Sequence, residues 1–386
     1  MKHLITSESV GFGHPDKAAD MISDYLVDLF LSKDPNTRAG IETMVKDNTV
    51  VLGGEIKTMA NISDEEITNA VKEVVKVFGL SKEHGFNHEQ ITVINLLGKQ
   101  SPEISGAVDN GEFIGAGDQG MMLGYATNET PNYMPLAIHI SKILVDHTTS
   151  IEGFGPDAKS QVTIEEDGSN KRIDTILIST MHKPEISLSE VRKRLVEDII
   201  TNNVKLDLPI AQLIDKDTKI VINPAGTWNI GSAVSDCGLT GRKIINDQYG
   251  SYCPAGGGAF SGKDSSKVDK SGAYLARYIA KNIVAANLAD KVKIEIAYMI
   301  GVAEPVSVSV DTYGTAKKMN EEELCELIYK VFPLTPEAIT NHFGLKRPIF
   351  YDTARYGHFG RPELPWEQLD KVEELQRYKL TLVEEL

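Results

Sequence analysis

The chain has 386 residues, 41% of them hydrophobic and 25% charged, the balance of a globular protein large enough for two or three cores. Its formal net charge of −15 excludes broad, nonspecific nucleic-acid binding, which depends on neutralising phosphates. No apolar run reaches membrane length, none like a secretion signal precedes His14, and Cys237, Cys253 and Cys325 show neither metal spacing nor a disulfide framework, so a cytoplasmic protein is expected.

Residues 3–8 read as a strand, followed by Gly11-Phe12-Gly13-His14-Pro15-Asp16-Lys17. Pro15 suits a first helical turn, and Ala18, Met21, Ile22, Tyr25, Leu26, Leu29 and Phe30 then keep the period of an amphipathic helix. His14, Asp16 and Lys17 thus stand at a helix N-terminus, either as ordinary end residues or as part of an anion and metal site. Strand-like runs at 40–45 and 49–58 flank Lys46-Asp47-Asn48, a hairpin signal, and carry Glu42 and Glu55. Acidic residues are depleted in strands, although one solvent-facing carboxylate is common. Ser63-Asp64-Glu65-Glu66 caps a helix over 67–78, and a strand over 91–97 follows. Residues 101–117 have little apolar periodicity and carry Gly106, Gly111, Gly115 and Gly117, which predicts a mobile, functional loop. It leads to Asp118 on a glycine-flanked turn.

The pattern then recurs. A helix over 133–148, a hairpin of 160–165 with 172–180, a helix over 188–202 and a strand over 218–222 form a second round. A helix over about 271–288, strands over 293–302 and 305–312, and a helix over 321–332 form a third. Three βαββαβ-like units of an α/β fold (α+β type) are expected, each sheet covered by two helices on one face. The divisions are 1–101, a mobile loop at 102–117, 118–230 and 231–386.

The polar clusters fall in the joints. Gly256-Gly257-Gly258-Ala259-Phe260-Ser261-Gly262-Lys263-Asp264-Ser265-Ser266-Lys267-Val268-Asp269-Lys270 combines glycines with three lysines just before a helix. Ser266 and Asp269 fit a capping box, and Lys263 and Lys267, four apart, would share a face of a helix or its first turn. Backbone amides, a helix N-terminus and ammonium groups suit a polyphosphate, and carboxylates among them suit a divalent cation. A solvated glycine-rich surface loop is the plainer alternative. A P-loop is excluded, because Asp264 stands where Ser or Thr should bind Mg²⁺ and no buried strand precedes. Asp236-Cys237-Gly238-Leu239-Thr240-Gly241-Arg242-Lys243 adds a guanidinium fork and another ammonium. Lys159, Arg242, Lys243, Lys263 and Lys267 together exceed what a diphosphate needs and match an intact triphosphate.

Those stretches, with Gly115-Ala116-Gly117-Asp118-Gln119-Gly120, Tyr125-Ala126-Thr127-Asn128-Glu129-Thr130, Asp157-Ala158-Lys159-Ser160-Gln161 and Tyr356-Gly357-His358-Phe359-Gly360-Arg361, closely resemble the signatures of S-adenosylmethionine synthetase (methionine adenosyltransferase) in order along nearly the whole chain. The resemblance implies three intertwined α/β domains and synthesis of S-adenosylmethionine from ATP and L-methionine. In that reaction the sulfur attacks C5′ of ATP, and the tripolyphosphate released is cleaved to phosphate and diphosphate. It implies two Mg²⁺ per site and a K⁺, and a homodimer with shared active sites, paired into a dimer of dimers. By residue, His14 would lie near O5′ and the phosphates, Asp16 and Asp269 would bind Mg²⁺, and Glu42 would serve K⁺. Lys159, Arg242, Lys243 and Lys263 would hold phosphates, and Ala259 would contact ATP through its backbone. Glu55, Gln100, Asp236 and Lys267 would orient methionine. Asp118 and Asp157 would orient adenosine, with Asp236 also beside ATP. Thr227-Trp228 replaces the family's usual Arg-Phe, Trp228 offering a larger face for adenine. Phe12 replaces a usual Glu, and Ala255 a frequent His. An ATP-dependent kinase or ligase on the same anion site would instead release ADP or AMP, and an inactive descendant would be expected to have lost His14, Asp16, Lys263 or Asp269.

Overall fold

A computed structural model describes residues 2–78, 88–99, 115–168 and 170–384. In chain order the first stretch gives β1 (His3–Val10), α1 (Pro15–Lys33), β2 (Arg38–Lys46), β3 (Thr49–Lys57), α2 (Asp64–Val77) and β4 (Thr92–Lys99). The second gives β5 (Gly120–Thr127), α3 (Leu136–Ser150), β6 (Phe154–Asp167), β7 (Asn170–His182), α4 (Leu188–Ile200) and β8 (Lys219–Ile222). The third gives β9 (Gly238–Leu239), α5 (Val268–Ala285), β10 (Lys291–Tyr298), β11 (Ser307–Asp311) and α6 (Glu321–Val331). The chain order is thus the expected repeat, except that the third round has no closing strand among the described residues.

Local chemistry explains several boundaries. Pro15 opens α1 at its first turn. Ser63 and Glu66 form a reciprocal capping box at α2, each accepting a backbone N–H of the other. On β2, buried Ala39, Ile41, Thr43 and Val45 alternate with Gly40, Glu42 and Met44, so one face packs on α1 and the other stays open.

The pairing shows how the units intertwine. The sheets run β4-β3-β2-β9, β1-β6-β7-β8 and β11-β10-β5. Each leading strand leaves its own round: β1 pairs with β6, β5 with β10 and β9 with β2. A strand in one sheet therefore leads toward a helix lying over another, which brings the α1 and α5 N-termini to seams between sheets. Gly238 permits one such seam, since a Cβ there would lie 2.0 Å from the Pro15 carbonyl oxygen.

Two hydrophobic cores result. One fills the second sheet against α3 and α4, from Leu136 through Ile178 and Leu195 to Ile222. The other runs continuously from α1 and the first sheet through α5 to the third sheet and residues 332–375. The C-terminal stretch, which has no strong sequence pattern, seals this second core. Trp366 stacks on Tyr274 with centroids 3.7 Å apart, and buried Arg277 pairs with Glu367 at 2.9 Å.

Candidate active site

At the first seam, Gly11 and Gly13 donate to the Ala158 and Pro156 carbonyls at 2.8 and 3.0 Å, which lays the approach to α1 along the start of β6. Val10 stands opposite Lys159 in the ladder. His14 then caps α1, its Nδ1 accepting from the Asp16 N–H at 3.2 Å. It is buried, and burial, followed by the charges of Lys243 and Lys159, pushes the imidazole down to about 3 against the pull of Asp16 and Asp236. The ring is neutral at ordinary pH.

Asp16, second residue of α1, divides its two oxygens. Oδ1 accepts from the Leu239 N–H at 3.0 Å, with Arg242 Nη1 3.4 Å away, and Oδ2 accepts from Lys243 Nζ at 2.5 Å. Burial would raise this carboxyl, but the Lys243 hydrogen bond, the Leu239 N–H and the Lys243 charge hold it below the usual range. Lys17 plays no part in this cluster. Its ammonium is buried between Asp20 at 2.9 Å and Asp247 at 2.7 Å.

The glycine-rich stretch builds a second unit of the same form. Asp269, second residue of α5, accepts through Oδ1 from the Gly258 N–H at 3.0 Å and through Oδ2 from Lys263 Nζ at 2.6 Å. This corrects the local reading: Lys267 is the N-cap, no side chain caps the helix, and Ser266 and Asp269 form no capping box. Nor do Lys263 and Lys267 share a helical face. Lys263 lies before the helix and bridges Gly40 on β2, whereas Lys267 leans toward Asp264 at 3.7 Å. The two units meet in one chain where Gly241 faces Ala259, so closely that a Cβ on Gly241 would lie 2.6 Å from the alanine methyl.

Asp157 is buried beside the first unit. Its Oδ2 accepts from the Ser232 N–H at 2.6 Å, its Oδ1 has no partner, and burial pushes it up to about 6. Ser232 was not legible as a site residue; its positive φ of 56° after Gly231 was the sole local hint, and only in the structure. Lys159, Asp236 and Arg242 are exposed nearby, within electrostatic reach of His14 or Asp16. Trp228 is half-buried, its Nε1 donating to the Ile230 carbonyl at 2.8 Å, and Thr227 is exposed. Phe12 lies 4.6 Å beneath the Arg355 guanidinium. Glu42 is exposed on β2 within electrostatic reach of Lys263, Glu55 and Asp118 are exposed and drawn into neither unit, and Gln100 lies outside the described residues. Among the described residues no three His, Cys, Asp or Glu side chains gather as a metal cage. The donor chemistry nevertheless fits Mg²⁺ held by single carboxylates and phosphate oxygens: Asp16 and Asp269 each present one oxygen fixed by an N–H and one held only by a flexible ammonium.

The N-terminal, central and C-terminal domain models of S-adenosylmethionine synthetase match residues 2–102, 113–228 and 230–368. The chain belongs to the S-adenosylmethionine synthetase family. It is 46% identical over 399 aligned positions to an S-adenosylmethionine synthase of Clostridium botulinum, covering 98% of this chain and 100% of that protein. It is 45% identical to that of Clostridium tetani, covering 97% and 99%. Its fold matches the structure of an unusual S-adenosylmethionine synthetase from Campylobacter jejuni with a TM-score of 0.89 at 38% identity, covering 97% of this chain and 99% of that one. Membership of the S-adenosylmethionine synthetase family meets the expectation of an enzyme, a methionine adenosyltransferase, with the mixed α/β fold described above. No helix among the described residues is long and apolar enough to cross a membrane.

Proposed function

We propose that the two carboxylate–lysine units act on one ATP, and that the enzyme transfers adenosyl to L-methionine by sulfur attack on C5′, releasing tripolyphosphate that the same site hydrolyses to phosphate and diphosphate. The observation that supports this most directly is the repeated unit itself. Asp16 with Lys243 and Asp269 with Lys263 place anion-binding ammonium groups beside metal-binding carboxylates at two helix starts.

A thioether needs no general base, so the protein's task is alignment and stabilisation of the leaving triphosphate. Lys159, Arg242, Lys243 and Lys263 take its oxygens, and neutral His14 offers a donor near O5′. Asp157 and Asp118 bind adenosine, Ala259 touches ATP through its backbone, and Asp236 lies between ATP and methionine. Trp228, fixed by its bond to Ile230, stacks on adenine, with Thr227 beside the base. Glu55, Gln100 and Lys267 orient methionine. Mg²⁺, at Asp16 and Asp269, would neutralise charge developing on the phosphates. Glu42 would give K⁺ one carboxylate ligand, with the others drawn from its surroundings.

A second subunit would supply that surroundings. Across the open face of the first sheet, the register aligns Leu239, Met44, Val51 and Ile94 in one apolar row over all its strands. Leu239, Met44 and Ile94 are 38–42% exposed, and neighbouring Leu96 is 66% exposed. Such a face needs a cover, and a homodimer with shared sites, further paired as a dimer of dimers, fits. The divisions at 101, 117 and 230 are cuts in the chain rather than in the sheets, since each sheet borrows its leading strand. A cytoplasmic setting accords with the free cysteines. The expected mobile loop at 102–117 lies outside the described residues apart from residues 115–117.

The test is incubation with ATP, methionine and Mg²⁺, with and without K⁺. S-Adenosylmethionine with phosphate and diphosphate is expected, whereas ADP or AMP as the nucleotide product would overturn the reading.

A further inference from the structure

Helix α1 carries aspartates at 16, 20, 24 and 28, a four-residue spacing that puts them along one face. Each accepts backbone N–H groups from a distant segment. Asp16 takes Leu239, Asp20 takes Gly241 at 2.8 Å, Asp24 takes Gly262 at 2.8 Å, and Asp28 takes Phe350 and Tyr351 at 2.9 and 2.8 Å. Only Asp16 has a place in the proposed chemistry. Asp20 and Asp24 are fully buried, which is costly for carboxylates unless they are paired.

What they hold is specific. Gly241 and Gly262 have φ of 79° and 80°, the left-handed turns that side chains avoid. At Gly262 a Cβ would also lie 2.0 Å from the Ile41 carbonyl oxygen. Each turn comes immediately before a basic side chain of the site: Gly241 before Arg242 and Lys243, Gly262 before Lys263. Those lysines reach Asp16 and Asp269 at 2.5 and 2.6 Å. Both buried carboxylates are neutralised from behind, Asp20 by Lys17 at 2.9 Å and Asp24 by Lys270 at 3.2 Å.

We propose that Asp20 and Asp24 are positioning residues for the adenosyl transfer: each pins the N–H of a left-handed glycine and so sets where the following lysine stands relative to the helix that carries His14 and Asp16. The inference rests on the reading of those lysines as triphosphate ligands. A side-chain oxygen fixed on a buried helix holds each N–H in one place, and the two bonds register both lysine-bearing turns on one rigid element. Packing alone would not need buried acids here.

The two oxygens of Asp20 serve different partners, Oδ1 the Gly241 N–H and Oδ2 Lys17, so the roles can be separated. Two double variants lack the ion pair equally: Asp20→Asn with Lys17→Met keeps an acceptor for Gly241, and Asp20→Ala with Lys17→Met removes it. The expected result is similar melting temperatures. The asparagine pair should stay within about threefold of wild-type kcat, and the alanine pair should fall about a hundredfold, the scale of a misplacement near 1 Å. The methionine KM should move little in either. Equal kcat in the two pairs, or a loss that follows melting temperature rather than the acceptor, would overturn the proposal. Asp24→Asn and Asp24→Ala, each with Lys270→Met, repeat the comparison at Gly262 and decide it should the Asp20 alanine pair fail to fold. A wild-type enzyme that makes no S-adenosylmethionine is a different failure, since it removes the reaction rather than the positioning.

Discussion

The starts of α1 and α5 differ from the start of α3, though all three helices occupy the same place in the repeat. In α1 and α5 the second residue is an aspartate, with one oxygen on a backbone N–H and the other on a lysine. In α3 the corresponding residues are Leu136 and Ala137, both buried in the second core, and the Leu136 N–H is closed off by Glu129 at 3.2 Å. All three helix ends have amides without an intrahelical partner and the same positive end of the dipole. Two present an aspartate–lysine pair, which the proposed function reads as a place for phosphate and metal, and the third is consumed in packing. Repetition of a fold therefore supplies equivalent places, and the second residue of the helix decides which of them carry chemistry.

The strongest way to break this comparison is to neutralise the carboxylates. Asp16→Asn and Asp269→Asn keep the shape and an oxygen for the Leu239 or Gly258 N–H, and remove only the charge. Each should lower S-adenosylmethionine synthesis at least about a hundredfold while leaving the melting temperature nearly unchanged. If both variants turn over near the wild-type rate at ordinary Mg²⁺, the two helix starts are not metal sites.

A second test asks whether the two units that serve one ATP belong to one chain. A His14→Asn chain and a Lys267→Met chain are each expected to be inactive as homodimers. If the groups come from different subunits, each hybrid holds one site with both lesions and one with neither, and random pairing returns about a quarter of wild-type activity. A mixture that stays dead after hybrids are verified by mass would place both units in one subunit.

A third sharpens the contrast at α3. Ala137→Asp copies the aspartate of α1 and α5 into the position where no lysine awaits it. The charge would be buried without a partner at a site that is fully enclosed, at a cost of roughly 3–5 kcal/mol. Calorimetry should show a clear fall in melting temperature. An unchanged transition would mean that the α3 start accommodates a carboxylate as readily as the others.

How much of this was legible follows from distance along the chain. The hairpins β2–β3 and β6–β7 were readable because alternation and turn residues lie within a few positions of each other. The exchange of leading strands was not readable from pattern: alternation identifies a strand without naming its neighbour, and β1 finds β6 more than a hundred residues away. β5 was missed because it is buried almost throughout and does not alternate. Its Gly124 is needed where α5 presses so close that a Cβ would lie 2.1 Å from the Ala276 carbonyl oxygen. At the site, residue types and local spacing picked out the two stretches that the structure brings to the starts of α1 and α5. They did not show that Asp16 meets Lys243, or that Asp269 turns back to Gly258 in preference to capping its own helix. The aspartate spacing on α1 lay in plain view, but its meaning depended on partners over two hundred residues distant.

The smallest expected effect concerns protonation at the α1 start. His14 Nδ1 accepts the Asp16 N–H, which requires that nitrogen to be bare and puts the remaining proton on Nε2. Burial, then Lys243 and Lys159, hold the ring at about 3 against an ordinary 6.5. Between those values the unfolded chain binds a proton that the folded chain refuses, so this contribution to stability is fully present above 6.5 and is lost as the pH falls toward 3. Two consequences can be measured on the free enzyme. NMR of ring-labelled histidine should show His14 as the Nε2–H tautomer with no titration down to about pH 5, where an ordinary histidine is mostly charged. Replacing it with glutamine should make the acid-side decline in melting temperature shallower than in wild type. An imidazole at this position that titrates near 6.5 would mean that neither burial nor Lys243 and Lys159 hold it down. The first helix start would then be electrostatically open, rather than the preset cationic surface on which the comparison with α5 depends.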